Sequence, residues 1–328
     1  MQEMETKENQ IIHGVIWKQL LIFFFPILLG TFFQQIYNTA DTVVVGRFVG
    51  TEALAAVGGS TSQIINLIVG FFTGLASGVT VVISQHYGAK QEDGVQKALH
   101  TAYAFSVVGG IIISIMGILI TRPLLKLMNT PDNIIDLSAT YLCIYFAGLV
   151  FVFIYNVGAG ILRAVGDSRR PLYFLILCCF INIVLDIILI VFLKMGVAGA
   201  AIATTFSQGI SAVMVTVTLC RTTDIFRLRV KKIRFHAQPM GMIVKIGLPA
   251  GLQSVMYSLS NVIIQSSLNT FGTETVAAWT AFSKIDAIYW MISGAFGIAI
   301  TTFVGQNYGA GKFGRMKKSV RVCLAMDI

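Results

Sequence analysis

Long apolar stretches alternate with short polar segments along the whole chain. Several of the apolar stretches reach the roughly 20 residues that an α-helix needs to cross a bilayer. Glycine, proline and charged residues separate them, as expected of turns at the two membrane surfaces. The pattern predicts eight membrane-spanning helices and the start of a ninth, with spans at 16–45, 53–83, 95–120, 134–157, 169–193, 197–219, 241–270 and 275–305.

Two of these spans carry an acid on a polar helical face. The first span has polar side chains at i, i+3, i+4 and i+7, namely Gln34, Tyr37, Asn38 and Asp41. In the fifth span Asn182 and Asp186 are four residues apart, so each set lies on one side of its helix. A carboxylate in hydrocarbon costs at least ~2.5 kcal/mol, and such acids normally face a bundle interior and serve ions or protons. The alternative interpretation is a structural hydrogen bond between two helices.

Composition also indicates a membrane protein. Hydrophobic residues make up 55% of the chain and charged residues 12%, which is more apolar than one soluble domain of 328 residues can bury. The polar N-terminal segment lacks the features of a cleaved signal peptide. The five cysteines lie in or beside apolar spans without metal-ligand spacing. They are interpreted as packing residues, and no structural metal site is expected.

Basic residues fall mainly on one side of the predicted bundle. With the N-terminus in the cytoplasm, nineteen lysines and arginines lie in cytoplasmic segments and four in outer loops. We therefore expect a multi-pass protein of the plasma membrane, whose net charge of +9 reflects topology and not nucleic-acid binding. The basic run at 227–234 is interpreted as a cytoplasmic linker between two bundles, with a lipid-headgroup patch as the alternative.

This orientation allows the polar residues to be placed by depth. At about 1.5 Å per residue, Asp41 and Asp186 both fall beyond the membrane midplane toward the outside, with Asn182 one turn away. Tyr141 and Thr204 lie near the outer ends of their spans and come to a similar level. The sequence therefore predicts one polar cluster from four helices. Such a cluster could supply oxygen ligands to a hard cation or a supported carboxylate to a proton.

The chain contains an internal repeat whose two copies run in the same direction. The segment PILLGTFFQQIYN from Pro26 matches PAGLQSVMYSLSN from Pro249. Two further pairs keep the offset within 221 to 223 residues: TEALAA (51–56) with TETVAA (273–278), and QHYGAK (85–90) with QNYGAG (306–311). Transporters are often built from such repeats, with the substrate path at their interface.

Several segments in combination resemble the multidrug and toxic compound extrusion (MATE) family over essentially the whole chain. They are the run from Pro26 through QQIYNTADTVVVGRFVG and LAAVG, then ILRAVGDSRRP (161–171), INIVLD (181–186), MGVAGAAIAT (195–204) and FVGQNYGAGK (303–312). The resemblance implies an all-α integral membrane protein, a two-lobed bundle of twelve helices around a central cavity. It implies export of organic compounds driven by inward Na+ or H+.

The resemblance also carries expectations for individual residues. It implies that Asp41, Asn182, Asp186 and Thr204 form the cation site and that Pro26 allows the first helix to bend. The chain departs from some family members because its seventh span contains no glutamate. Its final residue, Ile328, falls within the second lobe that the family pattern implies.

Repeat and resemblance together predict three parts. A complete six-helix N-lobe occupies 1–220, a basic cytoplasmic linker 221–240, and a partial C-lobe 241–328, with two spans and the start of a third. We expect the N-lobe to insert with its ion site intact, and we expect these 328 residues by themselves not to transport, because the central cavity needs both lobes.

Polar residues elsewhere in the spans are candidates for lining a substrate cavity. These candidates are Gln34, Tyr37, Asn38, Gln208, Gln253, Tyr257, Asn261, Lys284 and Asp286. Lys284 and Asp286 are the only charges inside the C-terminal half of the membrane, and their spacing does not place them on one helical face. Hydrogen bonds between helices are the alternative role for the uncharged candidates.

No catalytic motif is present, so an enzyme is not expected. The four histidines are dispersed, and neither a phosphate-binding glycine loop nor a nucleophile elbow occurs. The prediction is a secondary active exporter of small organic, cationic substrates across the lipid bilayer, with Na+ or H+ as coupling ion, no other cofactor and no predicted oligomeric state. The alternatives are a flippase for lipid-linked precursors, for which Lys284 is the single cationic cavity candidate, a non-transporting fragment, or a ligand-binding membrane protein.

Overall fold

The computed structural model describes residues 9–268 and 273–328, with all side chains except some of those between 262 and 284. These residues form twelve α-helices: α1 (Gln10–His13), α2 (Ile16–Phe48), α3 (Thr51–Gly58), α4 (Ser60–Gly88), α5 (Glu92–Leu127), α6 (Asp132–Ala147), α7 (Leu149–Ala164), α8 (Arg169–Asp186), α9 (Gly196–Arg221), α10 (Ala237–Leu268), α11 (Thr273–Gly309) and α12 (Phe313–Asp327). A π-helix, Ile187–Phe192, follows α8, and a 3₁₀ turn, Val230–Lys232, precedes α10. The predicted all-α class is confirmed.

Eight stretches of the described residues can cross a membrane. Seven are long, apolar helices, and the eighth is the pair α6 and α7, which bends by 47° and is long and apolar enough when the two helices are taken together. The helices extend several predicted spans at both ends; α5, for example, covers Glu92–Leu127 where 95–120 was expected. The predicted start of a ninth span corresponds to α12, a helix of 15 residues with Ser319 and Cys323 buried.

Two spans are interrupted at glycines that the hydrophobic pattern does not mark. α3 and α4 meet at Gly59, and α6 and α7 meet at Gly148. At Gly148 the Thr205 side chain of α9 packs so closely that a Cβ atom would overlap it. The break in this span therefore depends on a neighbouring helix and not on the local sequence alone.

The helix α2 connects two hydrophobic clusters. Its first half packs with α1, α11 and α12, where the rings of Phe24 and Phe296 stack with centroids 4.0 Å apart. Its second half packs against α8, where a Cβ at Gly30 would lie 3.1 Å from Leu175 Cδ1. The larger cluster is built mainly from α4, α5, α6, α7 and α9. α2 thus has different partners on the two sides of Pro26, which lies inside the helix.

The two copies of the repeat cross each other reciprocally at the ends of α4 and α11. A Cβ atom at Gly88 would overlap the backbone of Gln306, and a Cβ atom at Gly309 would overlap the backbone of Gln85. These four residues are related by the repeat offset of 221 residues. In each copy the glycine therefore packs against the glutamine backbone of the other copy, which allows the two helices to approach closely.

The helix bounds also define the connection between the predicted lobes. α9 ends at Arg221 and α10 begins at Ala237, so the first four residues of α10 lie inside the segment 221–240 that was predicted as linker. α10 packs along α4, where Gly74 and Gly78 face the α10 backbone. The division into an N-lobe and a C-lobe stays a prediction.

Candidate ion and substrate site

The polar face of α2 points into the bundle in the second half of the helix. Tyr37 and Asp41 are buried, with 6% and 5% of their surface exposed. Gln34 and Asn38 lie on the wall of a cavity beside them. Tyr37 Oη accepts a hydrogen bond of 3.2 Å from Gln208 Nε2 of α9. The face predicted from the i, i+3, i+4, i+7 spacing therefore holds α2 to α9 through polar contacts.

Asp41 meets the other predicted site residues of α8 and α9. Thr204 Oγ1 lies 3.1 Å from Asp41 Oδ2 and 3.0 Å from Ala200 O, so its proton has two acceptors within reach. The Asp41 carboxyl also lies beside the side chains of Asn182 and Asp186. All of these side chains are buried. The structure thus brings together the four residues to which the cation site was assigned.

Five polar atoms of this cluster are buried and have no hydrogen-bond partner among the described residues. They are Asp41 Oδ1, both carboxylate oxygens of Asp186, and the amide oxygen and nitrogen of Asn182. Each unpaired buried group costs roughly 1–3 kcal/mol, and two adjacent carboxylates disfavour each other's charge. A hard cation or a proton on one carboxyl would satisfy these oxygens, because oxygen donors are the ligands that such cations prefer. The residues present therefore fit the expected coupling ion.

Tyr141 of α6 completes the predicted cluster. Its side chain is buried, lines the same cavity and interacts electrostatically with Asp41. Its ring lies nearly parallel to that of Tyr145, with centroids 6.5 Å apart. The depth argument therefore placed Tyr141 correctly beside the acids.

The helix that carries Asp186 changes its geometry at this residue. α8 ends at Asp186, and the π-helix Ile187–Phe192 begins directly after it. Leu193 N–H donates to Ile188 O at 2.9 Å, five residues back, as the wider π-turn requires. Short π-segments inside helices are frequent at functional sites. The apolar run after Asp186 contains no signal for this change.

The cavity beside the cluster has a volume of about 550 Å³. Small-molecule sites usually measure roughly 300–1,000 Å³. Residues of eight helices line it, including Pro26 of α2 and the α11 residues Trp290, Met291 and Gly294. Polar residues of its wall that the sequence analysis did not single out are Thr31, Gln35, Thr42, Ser62, Asn66, Thr73, Tyr145, Tyr155 and Ser168. The cavity therefore combines the acidic cluster with polar and aromatic surface.

Arg163 adds a cation that was not expected in the cavity. It lies in the last turn of α7, lines the cavity and buries its Nε without a hydrogen-bond partner among the described residues. From the sequence it was counted only as a cytoplasmic basic residue, and Lys284 was the single cationic candidate. That expectation is corrected here. Asn156 also lines the cavity and donates to Val152 O at 2.8 Å.

The cavity candidates of α10 lie elsewhere. Gln253, Tyr257 and Asn261 are exposed and lie outside the cavity wall described above. The Tyr257 ring contacts the ring of Trp290, with centroids 5.5 Å apart, and Trp290 does line the cavity. Among the described side chains, this aromatic pair links the polar face of α10 to the cavity wall.

The two charged candidates of α11 do not join the cluster. Asp286 is half-buried and lies outside the cavity wall, and the side chain of Lys284 lies outside the described residues. Among the residues that the structure describes, no three His, Cys, Asp or Glu side chains are grouped as metal ligands. Asp41 and Asp186 therefore stay the candidate residues for the predicted ion site.

Comparison with known proteins agrees with this geometry. The MatE family model matches residues 26–188 and 249–328. The chain is 31% identical to the probable multidrug resistance protein YoeA of Bacillus subtilis (strain 168), over 97% of this chain and 71% of that protein. It is 26% identical to the FAD transporter of Shewanella oneidensis, over 96% of this chain and 70% of that protein.

A solved structure shares both the fold and the sequence pattern. It is the outward-facing conformation of a multidrug resistance MATE family transporter of the MOP superfamily, with a TM-score of 0.90 and 27% identity. The match covers 99% of this chain and 72% of that one. The chain therefore belongs to the MatE family of multidrug efflux transporters, which are membrane transporters and not enzymes.

Proposed function

We propose that the protein exports small organic compounds in exchange for Na+ or H+ that binds between Asp41 and Asp186. The observation that supports this most directly is the group of five polar atoms on Asp41, Asn182 and Asp186 that have no hydrogen-bond partner among the described residues, beside a 550 Å³ cavity that Asp41 lines. Burying two carboxylates in a membrane is costly unless a cation or proton offsets their charge. The site therefore has a physical reason to take up the coupling ion.

Ion binding would change how α2 packs. With a cation or proton shared between Asp41 and Asp186, α2 and α8 are held together; without it, the two carboxylates repel. α2 is able to respond because Pro26 cannot donate the backbone hydrogen bond of a regular turn at the point where the partners of α2 change. A ligand shifts such an equilibrium only by its different affinity for the two states. Here the difference comes from the charge of the acidic pair.

The same charge supports cationic substrates. Asp41 forms part of the cavity wall, together with the rings of Tyr141, Tyr145 and Trp290. Carboxylates attract organic cations, and aromatic faces add cation–π contacts of roughly 0.5–2 kcal/mol. Occupation of the acidic pair by Na+ or H+ removes the negative charge that attracts the substrate. Ion binding and substrate release are thereby linked.

We propose the plasma membrane as the location, with the N-terminus in the cytoplasm. Basic residues of α12 and of the linker 222–236 lie at the same end of the bundle as the start of α2, where Arg315 donates to the carbonyl oxygens of Ile11 and Gly14. This distribution follows the positive-inside rule.

Displacement of a bound dye tests the exchange. The purified protein is equilibrated with a fluorescent organic cation, and NaCl, KCl or acid is then added at constant ionic strength. Na+ or H+ is expected to release the dye, whereas K+ is not, because competition requires occupation of the acidic pair. Dye binding that is insensitive to both Na+ and pH would contradict the proposal.

Arg163 favours a second candidate, the export of compounds that carry an anionic group as well. An arginine in the cavity wall with an unpaired Nε can hold a carboxylate or phosphate. The related FAD transporter carries that activity in its name, and the flippase alternative also requires cations in the cavity. Arg163→Gln should weaken binding of a zwitterionic dye about tenfold and leave a purely cationic dye within about twofold. Equal effects on both dyes would exclude this candidate.

A further inference from the structure

The linker between α9 and α10 is attached along the first turns of α5. Gln96 Nε2 donates to the carbonyl oxygen of Ile225 and, at 3.2 Å, to that of Arg227. One turn further on, His100 Nε2 accepts the backbone N–H of Arg229 at 3.1 Å. Both attachments use the linker backbone, so they leave the side chains of the linker free for other contacts.

A second anchor lies at the end of the linker. Thr101 Oγ1 accepts the backbone N–H of His236 at 3.1 Å and contacts its Nδ1 at 3.0 Å. Arg234 Nε donates to His236 Nε2 at 3.1 Å. Burial lowers the pKa of His236 below its ordinary value, and the positive charges of Arg234 and Lys97 lower it further. The surroundings of this anchor are therefore positive.

Alternating burial turns the linker arginines to one side. Phe226 and Leu228 are 5% and 2% exposed and belong to the large hydrophobic cluster, whereas Arg227 and Arg229 are exposed. Leu228 N–H donates to Leu219 O at 2.9 Å, which fixes this register. Because successive side chains of an extended segment point in opposite directions, the two arginines share a face. The 3₁₀ turn then adds two lysines.

These basic residues converge on one concave surface between the linker and α5. This pocket, of about 730 Å³, is lined by six lysines and arginines: Lys97, Arg227, Arg229, Lys231, Lys232 and Arg234. Three acids also line it: Glu92, Asp93 and Asp224. Among the described residues the only salt bridge there joins Lys97 to Asp93, at 2.5 Å. The linker cations therefore face one another without an acidic partner.

We propose that this pocket binds a phosphate-bearing anion at the cytoplasmic surface of the membrane. Guanidinium groups hold phosphate oxygens through paired, charge-assisted hydrogen bonds, and lysines add point charge. The attachments of the linker backbone to Gln96, His100 and Thr101 hold these cations in place before an anion arrives. Preorganisation of this kind lowers the entropy lost on binding.

The pocket is separate from the transport cavity and shares no lining residue with it. It also differs from the scattered basic residues that the positive-inside rule alone requires, because its cations line one concave surface and are carried by a tethered backbone. α12 provides the contrast: Lys317 and Lys318 are exposed and line neither of the two cavities.

A phosphate group could reach the pocket from two sources. One is the headgroup of an anionic phospholipid of the inner leaflet, and the other is a soluble phosphoester in the cytoplasm. Two probes separate them. Sodium pyrophosphate added to protein in neutral detergent reports the soluble source, and nanodiscs of phosphatidylglycerol compared with phosphatidylcholine report the lipid source.

The experiment compares two double variants that remove the same charge from the same side of the membrane. Arg229→Gln with Lys232→Gln alters the pocket, and Lys317→Gln with Lys318→Gln is the matched control. Because His100 binds the backbone N–H of Arg229, the pocket variant keeps the linker attached. Binding is measured by calorimetry for pyrophosphate and by thermal melting in the two kinds of nanodisc.

The pocket variant is expected to bind the effective probe about tenfold more weakly, and the control variant within about twofold of the unmodified protein. Loss with pyrophosphate indicates a soluble phosphoester, and loss confined to phosphatidylglycerol indicates a lipid headgroup. Equal loss in both variants would reduce the effect to general surface charge and overturn the proposal. The absence of binding to either probe would also overturn it. Arg229→Lys keeps the positive charge and should therefore retain part of the affinity. Such a graded loss would show that the weak binding of the pocket variant comes from lost charge and not from unfolding.

Discussion

The helices α2 and α10 occupy corresponding positions in the repeat, but their polar side chains have different surroundings. Both contain an internal proline, Pro26 or Pro249, followed after twelve residues by an asparagine. In α2 the residue three positions further on is Asp41, buried against α8 and α9. In α10 the corresponding position holds no acid, and Gln253 and its neighbours on the polar face are exposed.

Between these two helices the repeat preserves the proline and the asparagine, and it does not preserve the acid. The proline and the crossing glycines are repeated because they fix how helices bend and approach one another. The acid of α2 has no counterpart at the matching position of α10, and an ion site also needs partners from other helices. In this chain those partners are Asn182, Asp186 and Thr204 on α8 and α9. The coupling ion is therefore expected to act on α2 and not on α10.

Neutralisation of either acid should have the largest effect. Asp41→Asn or Asp186→Asn removes a carboxylate from the pair, so we expect binding of ²²Na+, or the pH-dependent proton release that would replace it, to fall tenfold or more. Asp286→Asn is the matched control, since Asp286 lies on α11 outside the cavity wall. Scintillation proximity measurements on the purified protein provide the values. A loss of the same size in the control would remove the distinction between the two halves.

Overpacking at the crossing of the two copies should have the next largest effect. The loss of stability should be the same whichever copy carries the substitution. Gly88→Ala and Gly309→Ala each place a Cβ against the backbone of the opposite helix, at a cost of roughly 1–3 kcal/mol. Gly297→Ala on α11 is the control, because nothing lies within 4 Å of its Cβ position. Thermal melting in detergent should show a lower melting temperature for Gly88→Ala and Gly309→Ala and an unchanged one for Gly297→Ala. A large difference between Gly88 and Gly309 would contradict the reciprocal contact.

A smaller effect is expected from the tyrosines of the two repeat helices. Tyr37→Phe removes the acceptor of the Gln208 Nε2 hydrogen bond and leaves a buried amide donor unpaired, which costs roughly 1–3 kcal/mol. Dye affinity should fall several-fold. The exposed Tyr257 has no corresponding contact in the described cavity wall, so Tyr257→Phe should keep the dye affinity unchanged. Equal affinities in the two variants would show that the Tyr37 hydroxyl is not needed.

The smallest expected effect concerns the start of α10. The lowered pKa of His236 means that the folded linker favours the neutral imidazole. The unfolded state, with an ordinary pKa near ~6.5, binds the proton more readily, so the anchor loses stability as the pH falls from there through the folded pKa. Hydrogen exchange of 225–240, corrected for intrinsic rates, should increase between pH 7.5 and pH 5.5. His236→Gln should abolish this dependence, and exchange at the start of α2 serves as the internal reference.

Much of this architecture could be predicted from the sequence, because each span can be recognised from its local composition. Seven apolar helices and the bent pair α6 and α7 lie where the eight spans were predicted, and the structure brings together Asp41, Tyr141, Asn182, Asp186 and Thr204, which depth along the helices had placed at one level. Depth is a good guide because helical rise is constant at about 1.5 Å per residue.

Features that depend on neighbouring helices could not be predicted in this way. The bend at Gly148 depends on Thr205 of another helix, and the π-turn after Asp186 follows an unbroken apolar run. Arg163 lies in the cavity wall because α7 ends next to it, which its membership of a cytoplasmic charge group did not reveal. For α10 the periodicity showed that a polar face exists, but it did not indicate which neighbour that face meets.

The reciprocal contact of Gly88 and Gly309 has a consequence for how such a chain could arise. A contact in which residue i of one copy meets residue j of the other, and j meets i, is the pattern of an isologous dimer interface. Two separate half-length subunits could have made it across a two-fold axis, and a single glycine substitution would then have improved both sides at once. Fusion of the two genes would have kept that interface while freeing each half to diverge.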